Sequence, residues 1–80
     1  MKRNRILIVE DEPAIADALY DGLRDEGFEP FKVGTGEAAL EQLEAVQIDL
    51  VLLDIRLPGI DGYETCRKIR LKGMHLPVII

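Results

Sequence analysis

Two short apolar runs, Ile6-Leu7-Ile8-Val9 and Leu50-Val51-Leu52-Leu53, each lead straight into acidic residues. Neither run alternates with polar positions. A strand that is apolar throughout is covered on both faces, which is the condition inside a parallel sheet flanked by helices. Glu10-Asp11-Glu12 follow the first run and Asp54 ends the second. Strands running in parallel finish on the same side, so both acidic groups are expected at one sheet edge.

The segments around these runs carry helix and turn signals. Pro13 suits a first helical turn, and the acids beside it suit the positive end of the helix dipole. Ile15, Leu19 and Leu23 then recur at four-residue spacing as an inward stripe, and Gly27 provides a left-handed stop. Phe28 to Val33 reads as a weaker strand, and Pro30 within it favours the sheet edge. Gly36 to about Val46 reads as a second helix with Ala39, Leu40 and Leu43 inward. Ile55 to Asp61 is a loop with a Pro58-Gly59 turn. Asp61, with Glu64 three residues on, resembles a capping box that opens a third helix ending near Gly73. After Pro77, Val78-Ile79-Ile80 begins a fourth strand.

Strands alternating with helices give a parallel α/β sheet with right-handed crossovers. The weak, Pro-containing strand belongs outside and the two acid-bearing strands are neighbours, so the expected order is 2-1-3-4. That order reverses between the first and third strands, where open sheets of this kind bind ligands. Asp11 and Asp54 both belong there. The 80 residues suffice for one domain. A net charge of −5 argues against non-specific nucleic-acid binding by this segment. One cysteine, Cys66, cannot form an internal disulfide, and no stretch reaches membrane-spanning length.

Converging carboxylates repel one another and need a cation or a proton to persist. Carboxylate oxygens with room left for water and a phosphoryl group describe a magnesium site. A cation among Glu10, Asp11 and Asp54 would relieve their repulsion and draw a phosphate donor toward Asp54. A carboxylate there can attack phosphorus and form an aspartyl phosphate. Glu12 is expected to point away or to serve the helix start. A competing motif is Gly34-Thr35-Gly36-Glu37-Ala38-Ala39, which matches the dinucleotide fingerprint, and Asp54 lies 18 residues beyond Gly36. Against it, the preceding strand is poor and the acid triplet would have no purpose; Gly34 and Gly36 then simply make a tight turn into the second helix. Cys66 reads as a small core or boundary side chain. His75 has no metal-ligand partner at useful spacing. Arg67, Lys68, Arg70 and Lys72 read as a solvated basic face of the third helix, and Tyr20 and Tyr63 as boundary packing.

The stretches Ile6 to Pro13 and Leu52 to Gly62, with an acid pair after the first strand, an aspartate after the third, and Pro58 and Gly59 at fixed offsets, resemble the receiver domain of two-component response regulators. The resemblance implies a flavodoxin-like (CheY-like) α/β fold with the same 2-1-3-4 strand order, of which residues 1–80 would be the N-terminal part, without the last two helices and fifth strand. It implies that Asp54 accepts phosphate from a phosphohistidine of a sensor histidine kinase, and that Glu10, Asp11, Asp54 and the backbone carbonyl of Arg56 surround magnesium. The chain would then be a phosphorelay switch, not an enzyme in its own right; its single cysteine and the lack of a visible export signal make the cytoplasm its expected place. Its output, transcription judging from the wording around the site, would lie beyond these residues. The family's Thr or Ser just after the fourth strand and Lys at the end of the fifth fall outside the 80 residues, so slow phosphotransfer is expected of this segment alone. Its fourth strand is expected to form an open apolar edge through which copies self-associate.

Overall fold

A computed structural model describes residues 3–80. Its elements are β1 (Arg5–Val9), α1 (Pro13–Asp25), β2 (Glu29–Val33), α2 (Gly36–Ala45), β3 (Leu50–Leu53), α3 (Gly62–Leu71) and β4 (Val78–Ile79). The strands form one parallel sheet in the order β2-β1-β3-β4. This is the strand order expected from the alternation of elements, and the flavodoxin-like arrangement that the resemblance implies. Pro30 sits on the edge strand β2, opposite Ile6, where its missing N–H leaves no gap in the ladder's interior.

Side-chain alternation divides the core between the two faces. Leu7, Val9, Val51 and Leu53 point to one face, packing with Ala39 and Leu43 of α2, Ile48, Leu57, and Ile69 of α3. Ile6 and Ile8 point to the other, where α1 packs on β1 and β2. Four of the five β1 residues are therefore buried, as its unbroken apolar run requires.

β3 departs from the expectation of full burial. Leu50 and Leu52 are half-buried while Val51 and Leu53 are fully enclosed. α1 packs chiefly on β2 and β1 and so covers β3 less. The same placement explains a second departure, on α1 itself. The four-residue spacing predicts an inward stripe, yet Ile15 is 44% and Leu19 is 38% exposed, and the helix seats itself through Ala16. A small residue lets the helix approach the sheet closely, and its larger apolar neighbours flank the contact.

Helix ends follow local chemistry. Thr35 caps α2 by accepting from the Ala38 N–H at 3.0 Å, and Asp61 caps α3 by accepting from the Glu64 N–H at 2.8 Å. Only that half of the expected capping box forms, because the Glu64 carboxylate pairs with Arg67 instead (Nε to Oε2 2.9 Å). Gly27, Gly59 and Gly73 have positive φ, at the stop of α1, the Pro58-Gly59 turn and the end of α3. The basic face of α3 is partly engaged: Lys72 pairs with Glu44, and Arg70 donates to the carbonyls of Met74 (3.0 Å) and Leu76 (2.7 Å). Cys66 packs half-buried against the core. No described helix is long and apolar enough to cross a membrane.

Candidate functional site

The pairing register builds the site before any side chain is considered. Val9 lies opposite Leu53, and the Asp54 N–H donates to the Val9 carbonyl at 3.1 Å. On the other flank of β1, Val9 lies opposite Val33 and the Glu10 N–H donates to the Val33 carbonyl at 3.0 Å. Glu10 and Asp54 thus leave the sheet side by side, at the point where strand order reverses. The far ends are tied as well: the Arg5 N–H donates to Asp49 Oδ2 at 2.7 Å and the Asp49 N–H returns to the Arg5 carbonyl at 2.8 Å. A slip of one residue between β1 and β3 would break this clamp and separate the acids.

Glu10, Asp11 and Asp54 each bring one carboxylate oxygen within 4.8 Å of the other two. They line a cleft of about 310 Å³ together with Glu12, Ile15 and Arg56. Among the described residues, none of the three acids forms an ion pair. Glu10 and Asp54 are half-buried and Asp11 is exposed. Two backbone amides pin the cluster: the Glu12 N–H donates to Glu10 Oε2 at 3.1 Å, and the Arg56 N–H donates to Asp54 Oδ1 at 3.2 Å. Partial burial pushes the Glu10 carboxyl above its ordinary value. The Glu12 amide offsets part of that shift, and the neighbouring charge of Asp54 and the contact with Asp11 add to it. The donor set consists of unpaired hard oxygens held close by backbone geometry, and it fits a divalent cation such as magnesium.

The sequence-derived candidates are thus brought together. Arg56 lies on the same cleft, and its amide donates to Asp54, a contact that the sequence does not announce. Glu12 supplies the backbone cap of α1, with its carbonyl accepting from the Ala16 N–H at 3.0 Å, while its side chain makes no cap bond. That Glu10 itself accepts from the helix-start amide was also missed. The Glu10-x-Glu12 spacing is compatible with such a turn but does not demand it.

Of the glycines of the competing motif, Gly36 serves packing, while Gly34 is exposed with open space around it. Gly36 is buried, and a Cβ there would lie 2.1 Å from Thr65 Oγ1 and 2.8 Å from Ile60. Its missing side chain makes room for α3, whereas a dinucleotide site would leave that space open for pyrophosphate. Asp54 faces Glu10 and Asp11.

A profile of the response regulator receiver domain matches residues 6–80. The chain belongs to the response regulator receiver domain family. Sensory transduction protein RegX3 of Mycolicibacterium smegmatis is 47% identical over 75 residues, covering 94% of this chain and 32% of that protein. DNA-binding response regulator MtrA of the same organism is 46% identical over 78 residues, covering 98% of this chain and 34% of that protein. Response regulator TrrA of Thermotoga maritima, solved in complex with Mg2+-BeF, superposes with a TM-score of 0.82 at 45% identity, over 86% of this chain and 60% of that one. This receiver sequence therefore spans about a third of the length of the curated relatives it matches.

Proposed function

We propose that the receiver is the phosphoacceptor of a two-component phosphorelay, with Asp54 taking a phosphoryl group from a phosphohistidine of a sensor histidine kinase. The observation that carries this reading is the convergence of Glu10, Asp11 and Asp54 within 4.8 Å at the reversal point of the sheet. The Mg2+-BeF complex of TrrA supports it by likeness. Glu10, Asp11, Asp54 and the Arg56 carbonyl would hold magnesium, which when bound offsets negative charge on the transferring oxygens. In the transfer, an Asp54 oxygen forms a bond to phosphorus as the phosphorus–nitrogen bond to the kinase histidine breaks, and the imidazole leaves with the electron pair. The Arg56 amide on Oδ1 orients the carboxylate and leaves Oδ2 as the attacking oxygen.

Residues 1–80 act in this reading as the N-terminal part of a cytoplasmic receiver domain. Phosphorylation places added negative charge at the mouth of the sheet and biases a two-state surface that an output module reads. The likeness to MtrA supports transcription as that output. The receiver is a switch that assists its own modification and turns over no separate substrate.

Amide shifts of the whole chain during a magnesium titration, followed by addition of beryllofluoride, test the reading. Glu10, Asp11, Asp54 and Arg56 are expected to move, and Asp54→Asn is expected to lose the beryllofluoride response. Unmoved amides at these positions would refute it, and NAD shifting the amides near Gly34 and Gly36 would favour a nucleotide site.

A further inference from the structure

We infer that Gly62 is a positioning residue for the acid cluster, seating the first turn of α3 directly on the backbone of Asp54 and Ile55. The inference rests on the phosphoacceptor reading above and concerns what holds Asp54 and Arg56 in place.

Gly62 is buried at the start of α3, and its N–H donates to the Ile55 carbonyl at 2.8 Å. A Cβ there would lie 2.5 Å from the Asp54 carbonyl oxygen, 2.7 Å from the Ile55 Cα and 3.1 Å from the Asp54 carbonyl carbon. All three obstructing atoms are backbone, and none can swing aside as a side chain does.

The other two closely packed glycines differ in kind. At Gly36 the obstructions are side chains, Thr65 and Ile60, and at Gly59 they are the Glu37 carboxylate. Gly62 alone presses on the peptide that carries the candidate phosphoacceptor. Moving the Asp54 carbonyl from 2.5 Å to ordinary contact at 3.4 Å requires a displacement of about 0.9 Å. Asp54 Oδ1 is held by the amide of Arg56, so a shift of this peptide moves both site groups. A misplacement on the order of 1 Å can cost about a hundredfold where several groups must converge.

The test compares Gly62→Ala with Gly36→Ala in the whole chain, reading magnesium affinity from the Asp11, Asp54 and Arg56 amides and stability from thermal unfolding. Gly62→Ala is expected to weaken magnesium binding at least tenfold in the folded protein. Gly36→Ala is expected to lower the melting temperature as much while keeping the affinity within about twofold. Unchanged affinity in Gly62→Ala overturns the inference, and so does an equal loss in Gly36→Ala, which would mean general loosening. Should Gly62→Ala not fold, hydrogen exchange in the unaltered chain decides: magnesium is expected to slow the Gly62 and Arg56 amides together, and a Gly62 amide indifferent to the metal overturns the inference. If the unaltered chain takes up no magnesium, the phosphoacceptor reading itself falls, an outcome distinct from binding that ignores Gly62.

Discussion

Replacing Asp54 by Asn is expected to stabilise the metal-free protein. Asp54 is 43 residues from Asp11 in the chain, so its repulsion with Glu10 and Asp11 exists in the folded state and vanishes on unfolding. At a separation of 4.8 Å in a water-like dielectric, each such pair costs about 0.9 kcal/mol. The site is exposed enough for that dielectric to apply. Two pairs then cost about 1.7 kcal/mol at low salt and about 1 kcal/mol at roughly 0.1 M salt. The amide oxygen of Asn still accepts from the Arg56 N–H, so the hydrogen bond survives the change. For a chain of 80 residues each kcal/mol corresponds to about 4–8 °C in melting temperature. Circular dichroism melts at pH 7.5 with chelator are therefore expected to show Asp54→Asn melting about 4–14 °C above the parent, with a smaller gap at high salt. Magnesium should reverse the order: at a hundredfold excess over Kd it stabilises the parent by about 2.7 kcal/mol and the variant far less. A variant that melts lower in chelator, or gains as much from magnesium as the parent, would refute the electrostatic account of the cluster.

Three further outcomes follow from the same geometry. The raised Glu10 carboxyl makes metal-free stability rise as pH falls toward 4.5, and magnesium affinity drop over that same window; titrations from neutral pH down through 4.5 check this, and an affinity loss that persists unchanged in Glu10→Gln would assign it elsewhere. Thr35→Ala removes the cap of α2 and should cost about 1 kcal/mol in urea unfolding, whereas Thr35→Gly should cost only a few tenths. On the sheet edge, Ile79 is 54% exposed on β4; if copies of this chain pair through that edge, Ile79→Lys should shift sedimentation toward monomer, and identical sedimentation of both forms would exclude the edge.

What could be read from the residues, and what could not, divides along the reach of the interactions. β1 and β3 were legible because an unbroken apolar run is a local signal of cover on both faces, and the acids that follow mark where each strand ends. Parallel pairing then leaves those acids little freedom, since Val9 opposite Leu53 puts Glu10 beside Asp54 whatever the loops do. Helix stops were legible for the same local reason, with Gly27 and Gly73 at positive φ. Burial on the α1 side was not. Whether Ile15, Leu19, Leu50 and Leu52 are covered depends on where a helix settles across several strands, and their four-residue or continuous spacing carries no record of it. The Arg56 amide on Asp54 and the seat of Gly62 on the Asp54 backbone were hidden too, because each arises only when the β3–α3 loop folds back on the strand it left. Pro58-Gly59 announced a turn there without announcing its destination. The residues that bear charge could thus be named from the sequence, while those that hold them at distance could not. In a cluster whose oxygens must stay within a few ångströms against their own repulsion, the second group decides whether the first can act.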